Sequence, residues 1–226
     1  MAFIVLEGLD GAGKSTQIRQ LQQWLEEQGK MYEYIHFPRF DTPVYGELVA
    51  RFLRGELGSV DEVNPYLVAL IYAGDRKEAA VAIHRWLTEK KVVIIDRYVT
   101  SNIAYQCAKL GASEEKNALR EWILDLEYNE NAIPKPDITL FLDVPFAFTE
   151  KSLAKNREGE DRDYLRGKED IHEASLDLQQ AVRQVYLNEA KEDPTVKVVN
   201  CSDENGRMLP PEKTFEKIKE YLNPIL

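Results

Sequence analysis

The sequence predicts an α/β fold in which five parallel strands form one sheet covered by helices. Two observations carry this prediction. Short apolar runs alternate with longer stretches in which apolar residues recur every three or four positions, which is the pattern of strands joined by crossover helices. The short runs are also almost continuously apolar, as expected for strands that are buried on both faces. No repeat, low-complexity tract or linker divides residues 1–226, so we expect a single domain.

Five apolar runs are predicted as the strands of this sheet. In chain order they are 3–6, 32–35, 92–95, 138–142 and 196–199. Ligands of open parallel sheets bind beyond the carboxyl ends of the strands. The residues that follow these runs are therefore the first candidates for a functional site.

Apolar residues at helical spacing predict the helices between the strands. One helix is expected over 16–28, directly after a glycine-rich segment. Apolar positions recur at i, i+3, i+4 and i+7 within 119–126, and they recur over four turns within 171–185. The same spacing within 215–222 marks the last helix. The alternation of strand and helix therefore continues to the end of the chain.

The charge and cysteine content of the chain exclude several classes of protein. Twenty-nine Lys and Arg against 39 Asp and Glu give a net charge of −10, which disfavours binding to nucleic acid or to a membrane surface. Cys107 and Cys201 are too few for a disulfide framework and are not spaced as a metal site. There is no long apolar run, and no basic segment precedes the short apolar run at the N-terminus. We therefore expect a cytoplasmic protein.

A phosphate-binding motif lies between the first strand and the first helix. Residues 8–15 read GLDGAGKS and match the pattern G-x-x-x-x-G-K-[ST] in full. Glycines allow backbone N–H groups to surround phosphate oxygens, and the helix N-terminus adds partial positive charge. Lys14 is expected to reach the β- and γ-phosphates, and the Ser15 hydroxyl to bind Mg²⁺. The residues predicted to bind the triphosphate are Gly8, Gly11, Ala12, Gly13, Lys14, Ser15 and Thr16.

This motif leaves three functional classes open: a phosphotransferase, a hydrolysing motor or switch, and an inactive nucleotide-binding relative. Asp96 and Arg97 follow the third strand. A hydrolase would more often place a second carboxylate after this aspartate to activate water, whereas an arginine suits a second phosphate. A guanine-specific N-K-x-D motif is absent from the sequence. These residues favour a phosphotransferase.

Charged and aromatic residues follow the remaining strands at the same edge. Arg39 comes shortly after the second strand, and Asp143 follows the fourth. Tyr72 and Arg76 are four residues apart in a helical stretch and share one face. A ring and a guanidinium at that spacing either bind a base or serve packing and surface charge, and the spacing alone leaves both open.

One segment departs from the alternating pattern. Residues 155–168 contain nine charged side chains in fourteen positions, with glycines at 159 and 167. Such a composition is typical of a solvated loop. A mobile lid over an active site is the alternative that this composition leaves open.

Taken together, these motifs resemble the thymidylate kinases, a family within the nucleoside monophosphate kinase group. The resemblance covers essentially the whole chain. Its most specific parts are Asp10 in the phosphate loop, FPR at 37–39, YAGDR at 72–76, DRY at 96–98 with Ser101, Asn102 and Tyr105 after it, and LDVP at 142–145.

The resemblance implies an activity, a cofactor and an assembly. Thymidylate kinases transfer the γ-phosphate of ATP to dTMP with Mg²⁺, giving dTDP and ADP, a step in dTTP synthesis. A homodimer and an acceptor-binding region over about 37–76 are also implied. The implied dTMP-binding residues are Asp10, Phe37, Pro38, Arg39, Tyr72, Arg76, Arg97, Ser101, Asn102 and Tyr105. The implied catalytic residues are Lys14, Asp96, Arg97, Arg157 and Arg162, and the implied metal ligands are Ser15 and Asp96.

Within that set the resemblance implies particular roles. Asp10 would hold the 3′-hydroxyl of the acceptor, and Tyr105 would crowd the 2′ position and so favour deoxyribose. Tyr72 would stack on thymine, and Arg76 would reach its O4 atom. Arg39 would bind the acceptor phosphate.

The phosphate loop implies a role for the charged segment. Some thymidylate kinases carry an arginine in the loop where this chain has Gly11. Family members with glycine at that position supply the catalytic cation from the lid instead. The resemblance therefore implies a functional lid at 155–168, with Arg157, Arg162 or Arg166 as the catalytic cation.

Other acceptors stay open at this point. A deoxynucleoside kinase phosphorylates a hydroxyl and needs a carboxylate base just past the second strand, where Asp41 is the nearby acid. Another pyrimidine monophosphate, dUMP or UMP, is the milder alternative. An inactive nucleotide-binding protein is disfavoured because Lys14, Arg97 and the lid arginines are all present.

Overall fold

The computed structural model describes residues 2–153, 160–168, 170–173 and 175–226, which form the predicted α/β fold. Five parallel strands lie in the order β2-β3-β1-β4-β5. Their bounds are Phe3–Gly8 (β1), Tyr32–His36 (β2), Val92–Asp96 (β3), Ile138–Asp143 (β4) and Val196–Asn200 (β5). All five predicted strands are confirmed. Each continues one or two residues past the apolar run because polar residues at the carboxyl ends still pair, as His36 does with Asp96.

The described residues form eight α-helices around the sheet. They are Lys14–Glu27 (α1), Tyr45–Leu53 (α2), Pro65–Thr88 (α3), Val99–Cys107 (α4), Ser113–Leu124 (α5), Phe146–Leu153 (α6), Leu176–Glu192 (α7) and Pro211–Leu222 (α8). A π-helical turn, Asp125–Glu130, continues α5, and a 3₁₀ turn spans Glu160–Leu165. None of the helices in the described ranges is long and apolar enough to cross a membrane.

Alternate residues of β1 pack into two separate cores. Ile4 and Leu6 lie in a core shared with α1 and α8, whereas Phe3 and Val5 lie in a core shared with α3, α4 and α5. The two faces of the central strand are therefore both covered. This explains why its sequence is apolar without alternation.

The start of α7 is a correction to the predicted pattern. The apolar spacing placed a helix over 171–185, but α7 begins at Leu176. The Ser175 side chain accepts a hydrogen bond from the Leu178 amide at 3.2 Å and caps the helix there. Ile171 lies outside the helix, and its amide donates to the Leu53 carbonyl at 3.0 Å. Its apolar side chain packs beside α2 instead.

Helix α2 was not predicted from the sequence. Its apolar residues form a small core with α3 through Val49, Phe52, Leu53 and Val68. The first turn packs directly on the chain after β2, since a Cβ atom at Gly46 would lie 2.1 Å from the Arg39 carbonyl oxygen. The helices α2 and α3 thus form a wall beside the carboxyl edge of the sheet.

Candidate active site

A cleft of about 940 Å³ opens at the carboxyl edge of the sheet. Its lining comes from the phosphate loop, the ends of β2 and β3, the helices α2, α3 and α4, and residues between 163 and 173. Most residues singled out in the sequence meet there. The predicted site residues that line the cleft are Asp10, Gly11, Ala12, Gly13, Lys14, Ser15, Thr16, Phe37, Pro38, Tyr72, Arg76, Asp96, Arg97, Ser101, Asn102 and Tyr105.

The phosphate loop connects β1 to α1 through two residues with left-handed backbone angles. Gly11 and Gly13 have φ values of +75° and +83°, which side chains rarely adopt. Gly8 ends β1, and a Cβ atom there would come within 3.2 Å of the Ala12 Cβ. Helix α1 begins at Lys14, whose Nζ lies 3.4 Å from the carbonyl oxygen of Gly8. The N-terminus of α1 therefore faces the cleft with the lysine beside it.

Asp10 is the meeting point of three side chains from different parts of the chain. Arg97 Nη2 lies 2.6 Å from Asp10 Oδ1, and the Tyr105 hydroxyl donates to Asp10 Oδ2 at 2.7 Å. Gln179 of α7 donates to the same Oδ2 at 2.9 Å. Arg97 also donates to the Ser101 hydroxyl at 3.2 Å. The cluster links the phosphate loop to β3, α4 and α7.

The charges of this cluster depend on one another. Burial by itself raises the pKa of Asp10, but Arg97 and then Lys14 outweigh burial and bring the pKa well below its usual range. Burial lowers the pKa of Lys14, and the nearby Arg97 lowers it further. Asp10 is therefore an ionised acceptor at neutral pH, placed between two cations.

Arg97 has an unusual backbone for a residue with a side chain. Its φ is +66°, in the left-handed region, and its amide donates to the Leu6 carbonyl at 3.0 Å. Its guanidinium lies 5.3 Å from the centre of the Tyr105 ring. The turn after β3 thereby directs the arginine across the cleft toward the phosphate loop.

Asp96 and Ser15 are the residues that fit a magnesium ion. Asp96 is 3 % exposed, and its Oδ2 lies 3.2 Å from His36 Nδ1. Its other oxygen, Oδ1, is buried without a hydrogen-bond partner among the described residues. Ser15 is exposed in the same cleft at the start of α1. Mg²⁺ keeps several waters and substrate phosphates and uses only one or two protein oxygens, so this pair fits the ion.

Tyr72 and Arg76 project from α3 into the far end of the cleft. The Arg76 guanidinium is 2 % exposed and is paired with Glu127 of the π-helical turn, with Nε 2.9 Å from Glu127 Oε2. Asn102 Nδ2 donates to the Ala69 carbonyl and to Glu127, both at 3.0 Å. The buried carboxylate of Glu127 thus anchors two predicted dTMP-binding residues, Arg76 and Asn102.

Arg39 does not join the other predicted site residues. Its guanidinium turns toward α3, where Nε donates to Asp75 Oδ1 at 2.8 Å and Nη2 donates to the Asp75 carbonyl at 2.8 Å. A second carboxylate, Glu78, lies 3.4 Å from Nη2. This differs from the expectation that Arg39 binds the acceptor phosphate, because Asp75 offers a charged partner close by. Phe37 and Pro38, by contrast, line the cleft.

The 3₁₀ turn and the residues that follow it pack against α2 and the chain just before it, and they line the cleft there. The Tyr164 ring stacks on Phe40 at 3.7 Å between centroids, and its hydroxyl donates to Asp170 at 2.8 Å. Arg54 Nη1 donates to the Tyr164 carbonyl at 2.6 Å. Burial and then Asp10 raise the pKa of Asp170 to about 7.

The predicted lid arginines fall partly within the described residues. Arg166 lines the cleft, and its Nη2 lies 3.5 Å from Glu47 of α2. Arg157 and the side chain of Arg162 lie outside the described residues. Of the three predicted lid arginines, Arg166 is the one whose side chain falls within the described residues.

Several residues that line the cleft or support its lining side chains were missed by sequence reasoning. Glu7 is fully buried and accepts hydrogen bonds from the Ser101 hydroxyl and the Tyr186 hydroxyl. Glu7 lies in an otherwise apolar strand, and Gln179 lies on the apolar face of a helix. A polar residue among buried apolar neighbours indicates a buried hydrogen-bonding role, so the sequence did hold a signal for these two residues. Glu127 and Arg54 carried no such signal, because each has other charged residues within three positions in the sequence, as is common at a surface.

Comparison with known proteins identifies the family. The family model described as thymidylate kinase matches residues 6–208. A probable thymidylate kinase from Thermococcus kodakarensis is 36 % identical over 207 residues, 89 % of this chain and 90 % of the relative. The chain belongs to the thymidylate kinase family. A thymidylate kinase from Mycobacterium tuberculosis is 33 % identical over 184 residues, 81 % of this chain and 83 % of that protein.

A solved thymidylate kinase has the same fold. The structure from Candida albicans superimposes with a TM-score of 0.73, covering 99 % of this chain and 91 % of that chain at 24 % identity. The resemblance read from the motifs is thereby confirmed. As a thymidylate kinase family member, the chain is an enzyme that phosphorylates dTMP to dTDP with ATP, and the deoxynucleoside kinase alternative is not favoured.

Proposed function

We propose that the cleft carries out this transfer in line, with ATP on the phosphate loop and dTMP enclosed by α2, α3, α4 and the segment around Tyr164. The observation that carries the proposal is the contact between Arg97 and Asp10. It joins the loop assigned to the donor to the turn between β3 and α4, and α4 carries residues assigned to the acceptor. The attacking group is a phosphate oxygen of dTMP, so no covalent nucleophile or general base is needed.

On the donor side, we assign the triphosphate to residues 8–16. Backbone N–H groups of the glycine turn and the N-terminus of α1 surround the phosphates, and Lys14 reaches toward the β- and γ-phosphates. Ser15 and Asp96 would hold Mg²⁺, and the orphaned buried oxygen of Asp96 supports this assignment. When bound, Mg²⁺ neutralises charge on the transferring phosphoryl group.

On the acceptor side, we assign the sugar to Asp10 and Tyr105, and the base to Tyr72, Arg76 and Asn102. Support comes from their shared position along one side of the cleft. Arg76 keeps its Nε and Nη2 atoms on Glu127, so the remaining nitrogen is the one available to a base oxygen. Ser101 contributes by orienting Arg97.

The acceptor phosphate is assigned to Arg97, with a lid arginine opposite. Arg97 supports this assignment because it lines the cleft and lies 2.6 Å from Asp10 of the phosphate loop. Arg166 supports the lid assignment because it lines the same cleft, and Arg157 and Arg162 remain proposed partners. Arg39 is assigned an indirect role: through Asp75 it fixes the chain that carries Phe37 and Pro38.

We also propose a homodimer in the cytoplasm. Val44, Leu67, Leu70 and Val81 are large apolar residues exposed on α3 and beside the start of α2. A patch of this kind is typical of a protein interface. The two buried, unpaired cysteines and the use of ATP support a reducing, ATP-rich compartment.

The proposal is tested by measuring ADP release from Mg-ATP with dTMP, dUMP, UMP, CMP and thymidine offered separately. A strong preference for dTMP supports the acceptor assignments. Activity with thymidine but not dTMP would overturn the assignment of Arg97 to the acceptor phosphate.

A Lys14→Met variant tests the donor site in the same assay. It should lose about 10²-fold or more in kcat, because one electrostatic contact to the transition state is worth that much. Lys213→Met, an exposed lysine on α8, is the matched control. Wild-type rates for Lys14→Met would refute the donor assignment.

A further inference from the structure

Gln179 is a polar residue fully buried in the first turn of α7. Its neighbours along the buried face of the helix, Leu178 and Val182, are apolar. Gln179 does not line the cleft itself. It nevertheless contacts two residues that do line the cleft, Asp10 and His172.

Both contacts are donated by the side-chain amide nitrogen. Gln179 Nε2 lies 2.9 Å from Asp10 Oδ2 in the phosphate loop and 3.0 Å from the carbonyl oxygen of His172. The His172 ring stacks on Tyr105 with centroids 5.0 Å apart. Asp10, Tyr105 and His172 are all cleft residues. The Gln179 amide therefore connects the phosphate loop to the segment around His172, which packs on Tyr105.

The amide is not explained by packing. Its oxygen, Oε1, is buried without a hydrogen-bond partner in the described part of the chain. A buried unpartnered oxygen is unfavourable, and an apolar side chain of the same size would avoid it. The two donated hydrogen bonds are what a glutamine supplies at this position and a methionine would not.

A neutral hydrogen-bond donor such as the Gln179 amide is compatible with the negative charge of Asp10. Gln179 is among the groups that lower the pKa of Asp10, after Arg97, Lys14 and Tyr105. A glutamate of the same length would place a second negative charge against the carboxylate. The glutamine instead holds Asp10 ionised and in a single orientation.

We propose that Gln179 is a positioning residue for acceptor binding. Its two hydrogen bonds fix the Asp10 carboxylate relative to the backbone at His172, and the carboxylate so held accepts the 3′-hydroxyl of dTMP. This inference rests on the proposed function, in which Asp10 binds that hydroxyl. Gln179 acts through Asp10 and touches neither substrate. Its loss should therefore affect the 3′-hydroxyl contact selectively.

The test compares dTMP with its 3′-deoxy analogue in wild type and in Gln179→Met, with binding measured by calorimetry. Wild type should bind dTMP roughly tenfold or more tightly than the analogue, as expected for a hydrogen bond to a charged group. Gln179→Met should weaken dTMP binding while leaving the analogue within about twofold, so that the preference falls to about threefold or less. Gln180→Met, exposed on the same helix, should behave as wild type.

The outcomes separate the inference from the proposed function. If wild type binds both ligands equally, the role of Asp10 fails. If wild type prefers dTMP and Gln179→Met keeps the full preference, or weakens both ligands alike, the inference about Gln179 fails. Should Gln179→Met not fold, Gln179→Asn retains the amide but is one methylene too short to reach both acceptors. It should show the same selective loss, and a retained preference would overturn the inference.

Discussion

At the scale of single residues, Asp170 shows how burial shapes a charge beside the cleft. It is 6 % exposed, accepts a hydrogen bond from the Tyr164 hydroxyl at 2.8 Å, and accepts another from the His172 amide at 2.8 Å. Burial and then Asp10 raise its pKa to about 7. The folded protein therefore holds a proton on Asp170 that the unfolded chain releases near pH 4.

This difference predicts a pH-dependent stability. Because the folded-state pKa of Asp170 is raised, its protonation stabilises the folded protein by at most about 4 kcal/mol. This stabilisation is fully present below about pH 4 and is lost as the pH rises toward 7. Asp170→Asn cannot ionise, so it should lose less stability than wild type between pH 5 and pH 8. Urea unfolding at the two pH values measures this. Asp163→Asn, an exposed neighbour, should keep the wild-type dependence, and an equal loss in Asp170→Asn would contradict the prediction.

The buried pair of Arg76 and Glu127 gives a second prediction. Glu127 is fully buried, and Arg76 is 2 % exposed. Glu127→Gln keeps the shape but removes the charge, leaving a buried guanidinium with a weaker partner. We expect a loss of about 3 kcal/mol in the free energy of unfolding, together with weaker dTMP binding. Urea unfolding and calorimetry measure the two effects, and Glu130→Gln, exposed on the same π-helical turn, should change neither.

At the scale of elements, the docking of the Tyr164 segment on α2 depends on Arg54. This arginine is 5 % exposed and pairs with Glu47 and Glu56 while donating to the Tyr164 carbonyl. Arg54→Met should release this contact and raise the KM for dTMP by roughly tenfold with a smaller change in kcat, since a charge-assisted hydrogen bond is worth about that much.

Arg51→Met is the matched control for this change. Arg51 lies in the last turn of α2, three residues before Arg54, pairs with Glu56 at 3.5 Å and is 45 % exposed in its side chain. Exposed ion pairs contribute little, so its kinetics should match wild type. Steady-state kinetics with varied dTMP decide the question. If both variants are equally impaired, loss of helix charge rather than segment docking is responsible.

The elements also show what was predictable from sequence. All five strands were predictable. The inner strands β1, β3 and β4 are buried on both faces, which leaves an uninterrupted apolar run that needs no tertiary information. The edge strands β2 and β5 are partly exposed and each includes a charged residue, but enough apolar residues remain in both to mark a strand. The start of α7 was not, because Ile171 is apolar for its packing on α2 rather than for helix periodicity. The phosphate loop was predictable since its function requires contiguous residues. The partner of Arg39, which is Asp75, was not predictable, and neither was the partner of Arg76, which is Glu127. Each carboxylate is distant in sequence from the arginine it binds and comes close to it only after folding.

At the scale of the whole molecule, the exposed face of α3 predicts self-association. Val81 is 80 % exposed and Leu67 is 58 % exposed. Val81→Glu combined with Leu67→Glu should convert a dimer into a monomer, because buried unpaired charges oppose an apolar interface. Light scattering coupled to size-exclusion chromatography measures the mass. Leu176→Glu, an exposed apolar residue on α7, should leave the dimer intact, and a monomeric wild type would refute the proposal.

The left-handed backbone of Arg97 has a consequence for how this molecule responds to selection. A non-glycine residue at a φ of +66° costs about 1–2 kcal/mol relative to glycine. Arg97→Gly would relax the turn after β3, but it would also leave the buried Asp10 carboxylate without the cation that most offsets its burial, at a cost of about 3 kcal/mol. The same variant would remove the cation assigned to the acceptor phosphate. A screen for heat resistance alone should therefore retain the arginine in spite of its backbone angle, because the ion pair with Asp10 outweighs the relief of the turn.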